Sequence, residues 1–452
     1  MILGKSNLSP AAPVKGALFA VLLGCLLTVF CFTAPAGAKV KVSFREVGKA
    51  YQPTSATSPP GRPGMLYITE RTGKIRILKA RKWIPGGPFL DLSDRVRTRW
   101  VEQGLLGLAF PPDFKKSRRF YVDYVARNGD VVIEEYQTYK KDPNHARPDS
   151  RRLILRIPKV DGRGNHNGGT IRFLGNHLYI AVGDGNDPGD AKNNAQNLES
   201  LRGKILRIDP RGSSTSGRTY LIPSTNPFVG QPGRDEIFAY GFRNPHSFSF
   251  HQIPGAEGMM VISDVGQERY EELNYLPFRQ AWGGNFGWKL YEGLAPYDCG
   301  KLCPSGITPA PIGPVLWPQL VYGHKSGCAI IGGPVVRDPA MTKIRGRIIY
   351  GDFCTNRIRV AVPQTGWINR DRRAGIYLPP GKGKYSALNA FGEDGWGRVY
   401  ALSGFGGIYL LIQKNVPARK KGKKKTGKKT GKKTGKKDQT GKQKLGSKSQ
   451  HE

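Results

Sequence analysis

Acid is scarce in this 452-residue chain: 34 Asp and Glu stand against 71 Lys and Arg, for a formal net charge of +37. Of that charge, +14 falls in Lys414–Glu452 and +2 ahead of Lys39, so +21 belongs to Lys39–Gln413. A body this basic favours anionic partners or surfaces. Cysteine is also sparse, with six residues, and Cys299-x3-Cys303 has no matching second half, which argues against a zinc site. Long apolar runs are nearly missing. The single one, Ala17–Thr33, is short for a membrane span and has no successor. With polar Met1–Lys15 before it and Ala36-Gly37-Ala38 after it, it reads as a secretory signal over residues 1–38. Leu22-Leu23-Gly24-Cys25 weakly resembles a lipoprotein site, but the apolar residues continue past Cys25. The chain is therefore expected to be exported, periplasmic or extracellular. In that oxidising setting the four remaining cysteines are expected to pair, Cys299 with Cys303 and Cys328 with Cys354, one of three possible connectivities.

A helical period is missing too. Strand pairs recur instead, six times: Leu66–Thr69 with Gly73–Ile77, Phe120–Asp123 with Asp130–Ile133, Leu178–Ala181 with Gly203–Ile208, Met259–Ile262 with Glu271–Tyr275, Ile348–Gly351 with Asn356–Val360, and Val399–Leu402 with Gly407–Leu411. Repeated antiparallel units of this kind predict an all-β, six-bladed β-propeller over residues 39–413. A two-sheet sandwich accommodates six similar hairpins less well. The long insertions after the third and fourth copies are where such rings build a binding site.

The densest stretch is Asn165-His166-Asn167-Gly168-Gly169, which leads into a hairpin, Ile171–Phe173 and Leu178–Val182, turned at Gly175-Asn176. The alternation predicts half-buried strands. His166 stands just ahead of a rigid strand, where a base belongs, although a packing histidine has the same spacing. Gly183–Asp190 offers three carboxylates for a hard cation, without EF-hand spacing, and a plain polar loop reads the same way. Arg243-Asn244 on a turn suits an anionic ligand, with a turn role for Asn244-Pro245 as the plain reading. After Gln413 the apolar pattern stops, and Thr-Gly-Lys-Lys repeats predict a disordered tail over 414–452. That tail suits acidic polysaccharide or an anionic membrane surface, or simply aids solubility. No specific nucleic-acid partner is expected, and the oligomeric state is open.

Several runs resemble the soluble glucose/sorbosone dehydrogenases that use pyrroloquinoline quinone. They are Glu102–Phe114, His166–Gly169, Gly183–Gly185, Gly203–Asp209, Tyr240–Pro245, Asp264–Gln267 and Gly284–Trp288, in family order. The resemblance implies a six-bladed propeller and oxidation of an aldose at C1 by hydride transfer to the quinone. It makes His166 the base and places Glu102, Gln103, Asn165, Arg243 and Asn244 at the cofactor. It makes the Gly266 and Gln267 carbonyls ligands of the cofactor's calcium, and Glu272 a ligand of a second, structural calcium. Glu102 stands where the glucose enzymes have glutamine, Cys354 where they have lysine, and Tyr385-Ser386-Ala387 lacks their arginines. At these positions the chain is more similar to the Hedgehog-interacting-protein-like branch, which implies a non-catalytic binding propeller as the alternative. A lactonase-like hydrolase is a third use of the same scaffold.

The tail generates a first test. Removing residues 414–452 is expected to leave the melting temperature unchanged. It is expected to weaken binding to acidic polysaccharide or anionic vesicles at low ionic strength, an attraction that salt screens. Equal surface binding before and after truncation marks the tail as a passive solubiliser.

Overall fold

Side chains with β-branched or aromatic character dominate the repeated pairs, and each pair is an antiparallel ladder in the structure. The computed structural model describes residues 39–159, 164–185, 188–215, 217–298, 313–364, 370–379 and 386–416. Residues 1–38, Asn186-Asp187, Cys299, Leu302, Cys303, Tyr385 and the residues from Pro417 lie outside them, so the expected signal segment and the expected 299–303 bridge do too.

Four sheets of four strands run in simple succession. The first holds Leu105–Ala109, Arg119–Val125, Val131–Thr138 and Ala146–Ile157. The second holds Ile171–Leu174, His177–Val182, Lys204–Ile208 and Ile237–Tyr240. The third holds Ser247–His251, Met259–Asp264, Tyr270–Pro277 and Leu320–Gly323. The fourth holds Ile330–Val335, Ile348–Asp352, Arg357–Ala361 and Arg370–Tyr377. A nine-stranded sheet joins the two ends of the unit Val40–Val416. Its order is Lys39–Lys49, Gly407–Val416, Val399–Ser403, Leu388–Glu393, Pro53–Thr57, Met65–Glu70, Lys74–Lys79 and Lys82–Trp83, with Leu90–Asp91 also on Lys74–Lys79. Its two halves meet at one parallel pair, Thr57 with Glu393. Among the described residues the α-helices are two single turns, Phe114–Ser117 and Phe278–Ala281, and no helix is long and apolar enough to cross a membrane.

The core lies between sheets, not inside one. Leu178, Ile180 and Val182 pack toward Tyr121, Ile133 and Ile154 of the preceding sheet. Tyr179 and Ala181, on the opposite face of the same strand, pack toward Phe248, Met260 and Ile262 of the following one. The strand is buried on both faces rather than half-buried as its alternation predicts, because a neighbouring sheet covers each side. Inner-edge strands Pro53–Thr57, Leu105–Ala109, Ile171–Leu174, Ser247–His251, Ile330–Val335 and Leu388–Glu393 all contribute to the wall of one cavity of about 370 Å³.

The last strand runs to Val416, five residues past its expected end at Leu411 and three past the expected boundary at Gln413. Gln413 ties it down: its Oε1 accepts from the Lys343 amide at 2.9 Å and its Nε2 donates to Thr342. The tail truncation therefore belongs after Val416.

Cys328 and Cys354 are bridged, with Cα atoms 5.7 Å apart and 26 residues between them in sequence. The bridge surrounds Asp352, whose carboxylate accepts from the amides of Cys328, Ala329 and Cys354 and from Tyr322 Oη. A disulfide closing a loop of this length contributes about 2–4 kcal/mol. A non-reduced digest is expected to yield the two peptides linked, and Cys328→Ser/Cys354→Ser to lose stability in that range. Free thiols at both positions in exported protein contradict the pairing.

Candidate functional site

The loop from Gly164 to Thr170 crosses the ends of the strands so tightly that backbone contacts fix it. A Cβ on Gly168 would strike the Ala181 carbonyl, and one on Gly183 the His166 carbonyl. His166 itself takes a left-handed φ of 54°, a conformation that persists only when its surroundings hold it. They do. Its amide donates to Glu102 Oε2 at 2.7 Å, and its ring Nδ1 lies 2.7 Å from Asp184 Oδ1. Asp184 is buried. Its Oδ2 accepts from Trp288 Nε1 at 2.8 Å, its amide donates to the Arg243 carbonyl, and its own carbonyl accepts from Asn194 Nδ2 at 3.0 Å. With Nδ1 engaged, Nε2 has no bonded partner among the described residues. A carboxylate on Nδ1 selects the tautomer that leaves Nε2 as acceptor, the arrangement of an oriented base.

Asn244 is the second anchor. Its Nδ2 donates to Glu102 Oε2 at 3.1 Å, and its Oδ1 accepts from the Gly168 amide at 3.1 Å. The amides of Arg243 and Asn244 both donate to Asp264, at 2.9 and 2.7 Å. The Arg243 guanidinium bonds Gln267 Oε1 and the Val265 carbonyl and sits 5.8 Å from the Trp288 ring centroid. Asn165 is half-buried, and its enclosed Oδ1 has no partner among the described residues. Gln103 is different: Oε1 accepts from the Trp100 amide at 3.3 Å, which closes its own turn. The structure therefore brings His166, Glu102, Asn165, Asn167, Arg243 and Asn244 together, and gives the Gln103 side chain a role within the loop.

Beside Arg243 lies a buried acidic group. Glu292 Oε1 accepts four consecutive amides, Gln267 to Tyr270, at 2.7–3.2 Å, while its buried Oε2 has no partner among the described residues. Glu272 accepts from the Gly293 amide at 2.6 Å. Burial, reinforced by Asp264, Glu271 and Glu292, holds the Glu272 carboxyl well above the usual range, and burial pushes Asp264 up to about 7. Neither the Gly266 nor the Gln267 carbonyl accepts a bond among the described residues. A carboxylate oxygen and two carbonyls without partners among the described residues are hard donors of the kind calcium takes. The acids are not drawn into one tight cage. The one trio of possible ligands within 4.8 Å among the described residues is Cys328, Asp352 and Cys354, and those cysteines are oxidised.

The Gly183–Asp190 loop is not a carboxylate cage as far as it is described. Asp184 serves His166, and Asp190 accepts the amides of Asn194 and Ala195. The sequence reading missed the pairing of Asp184 with His166, although the Gly-Asp-Gly motif after a strand marks the residue. It missed Glu292 and Trp288 as well. No local signal marks Glu292, whose carboxylate serves a loop over twenty residues away.

Calcium is expected to stabilise this unit. At a hundred times its Kd, a ligand that binds only the folded state adds about 2.7 kcal/mol. Thermal melts in calcium against chelator check this, and Glu292→Gln is expected to shrink the difference while exposed Glu199→Gln leaves it intact. Identical melts in both buffers contradict a cation at this acidic group.

The site has counterparts. The Glucose / Sorbosone dehydrogenase family matches residues 52–371. The chain is 30% identical over 327 residues to the HIPL2 protein of Arabidopsis thaliana, covering 61% of this chain and 46% of that one. It is 31% identical over 278 residues to the aldose sugar dehydrogenase YliI of Escherichia coli, covering 60% of this chain and 67% of that one. The chain thus spans less than half the length of the first relative. The PQQ-bound aldose sugar dehydrogenase of Streptomyces coelicolor superposes with a TM-score of 0.58 at 21% identity, over 84% of this chain and 99% of that one, a likeness of all-β propeller fold. With more than half of its length matched and the His166 loop inside the match, the chain belongs to the glucose/sorbosone dehydrogenase family.

Proposed function

We propose that the protein is an exported sugar dehydrogenase that oxidises an aldose at C1, with pyrroloquinoline quinone as hydride acceptor and calcium beside it. The His166–Asp184 pair carries the reading. Its ring is buried, one nitrogen is fixed by a carboxylate and the other is free. A neutral imidazole in that state accepts the anomeric hydroxyl proton at Nε2, and Asp184 stabilises the imidazolium that forms. When bound, the quinone supplies the two-electron acceptor for the C1 hydride, and a divalent cation polarises it. Arg243, Asn244 and Asn165 fit its polar rim. The Gly266 and Gln267 carbonyls fit its calcium, and Glu272 with Glu292 fits a second, structural ion.

The ring is read as six blades, with the nine-stranded sheet counted as two joined at Thr57–Glu393. The six inner strands around one cavity support that count. The basic tail keeps its proposed place at acidic polysaccharide or membrane surface.

The competing reading is a non-catalytic binding propeller, favoured by the chemistry opposite Arg243. Glu102 is an acid, Cys354 is tied into a disulfide and Ala387 has no charge, so an anionic tricarboxylate cofactor meets fewer cations there. Replacing the acid in Glu102→Gln removes one like charge while keeping an acceptor for the His166 amide. It is expected to tighten quinone binding about tenfold, the equivalent of about 1.4 kcal/mol. Fluorescence titration of the quinone checks this, and unchanged affinity places Glu102 away from the cofactor.

Turnover tests the base. With quinone and calcium supplied, His166→Ala is expected to lower aldose turnover by about 10²–10⁴ while cofactor affinity stays the same. Equal turnover in the variant assigns His166 a packing role.

A further inference from the structure

Asn194 joins the site to a second feature. Its Nδ2 donates to the Asp184 carbonyl, its Oδ1 accepts from Ser200 Oγ at 3.0 Å, and it also lines a separate groove of about 580 Å³. This groove lies between the strand Ala146–Ile157 and the loops through Ser200 and Thr219. Four arginines face it, Arg156, Arg202, Arg218 and Arg234, against one carboxylate on its wall, exposed Glu199. Arg156 and Arg234 each have an acid behind them, Asp130 and Glu236, which occupies one edge of the guanidinium and leaves its other donors toward the groove. Arg202 and Arg218 have no carboxylate bonded to them among the described residues. Arg202 is buried and donates through Nε and Nη2 to the Pro158 carbonyl, at 3.1 and 2.6 Å, its one acceptor among the described residues. Burial lowers the Arg202 pKa to about 10, against the nearby Asp184 and Asp130 carboxylates, which raise it.

We infer that this groove is a subsite for acidic saccharide, a uronate-bearing chain whose carboxylates pair with Arg156, Arg202 and Arg218. Guanidinium groups match carboxylates in a planar, two-bonded geometry that lysine does not offer. Asn194 bonds the Asp184 backbone and also lines the groove, and on this reading a chain whose terminal aldose reaches the base lays its following units along the Asn194–Arg202 loop. The inference rests on the sugar-dehydrogenase reading for its choice of saccharide over other anions, and it adds a substrate class: acidic oligosaccharides with a free reducing end. It also gives a local basis for part of the positive charge outside the tail.

The test is calorimetric titration of the full-length protein with a tetra-uronate and with a neutral tetrasaccharide of the same length. The uronate is expected to bind at least tenfold more tightly, and added salt to narrow the difference. Arg156→Gln/Arg218→Gln is expected to weaken uronate binding at least tenfold. The charge-matched control Lys79→Gln/Lys82→Gln, on exposed positions of another sheet, is expected to change it less than twofold. Single Arg218→Gln, the smaller perturbation, is expected to lie between. Equal losses in the two double variants, or no preference for the uronate, overturn the subsite, because either result assigns the attraction to overall charge and the tail. His166→Ala separates the two readings: it is expected to leave uronate affinity unchanged. A groove that binds uronate in a protein with no dehydrogenase turnover sinks the redox reading alone.

Discussion

One carboxylate, that of Asp184, holds the candidate site in shape. Its two oxygens serve His166 and Trp288, its amide reaches the Arg243 carbonyl, and its carbonyl receives Asn194. Segments distant in sequence therefore converge on a single residue that is itself fully enclosed. A buried carboxylate is tolerated only when its lone pairs are used, and here they are. The left-handed backbone of His166 depends on the same arrangement. Glu102 holds its amide, and Asn244 braces Glu102 and the Gly168 amide together. The ring nitrogen left over is exposed to whatever occupies the space in front of it.

The neighbouring acids follow the opposite logic. Asp264, Glu271 and Glu292 lie close enough to the buried Glu272 carboxyl to reinforce the rise that burial gives it, on a chain otherwise rich in positive charge. Four amides are aimed at one oxygen of Glu292, and the other has no partner among the described residues. A cation there relieves the repulsion and keeps the carboxylates ionised, which is the physical reason to expect calcium rather than an uncharged packing. The groove of arginines beyond Asn194 is the converse, positive charge with too little acid.

Much of this was readable in the sequence, for a simple reason. Each repeated strand pair is local, so Leu178–Ala181 and its partner Gly203–Ile208 announce their pairing in composition alone. The motif His166-Asn167-Gly168-Gly169 is local as well, since its glycines are required by close backbone contacts. What the sequence could not show is set by distance. Tyr179 is buried because the next sheet covers it, and an alternation pattern describes one sheet at a time. Glu292 has no signature because its four partners lie in another loop. Gln103 fits the family run, and only the fold shows that its amide oxygen accepts from the Trp100 amide three residues earlier. The final strand extends to Val416 through Gln413, in a stretch where lysine already dominates the composition.

The central claim is hydride removal from C1 with His166 as base. Its most direct test is anaerobic mixing of the quinone- and calcium-loaded protein with an aldose, following the cofactor spectrum, with hydrogen and then deuterium at C1. The account predicts one equivalent of spectral change per bound cofactor, slowed by deuterium in the native protein. A protein that retains no quinone at micromolar concentration, or whose bound quinone is unchanged by aldose, contradicts it.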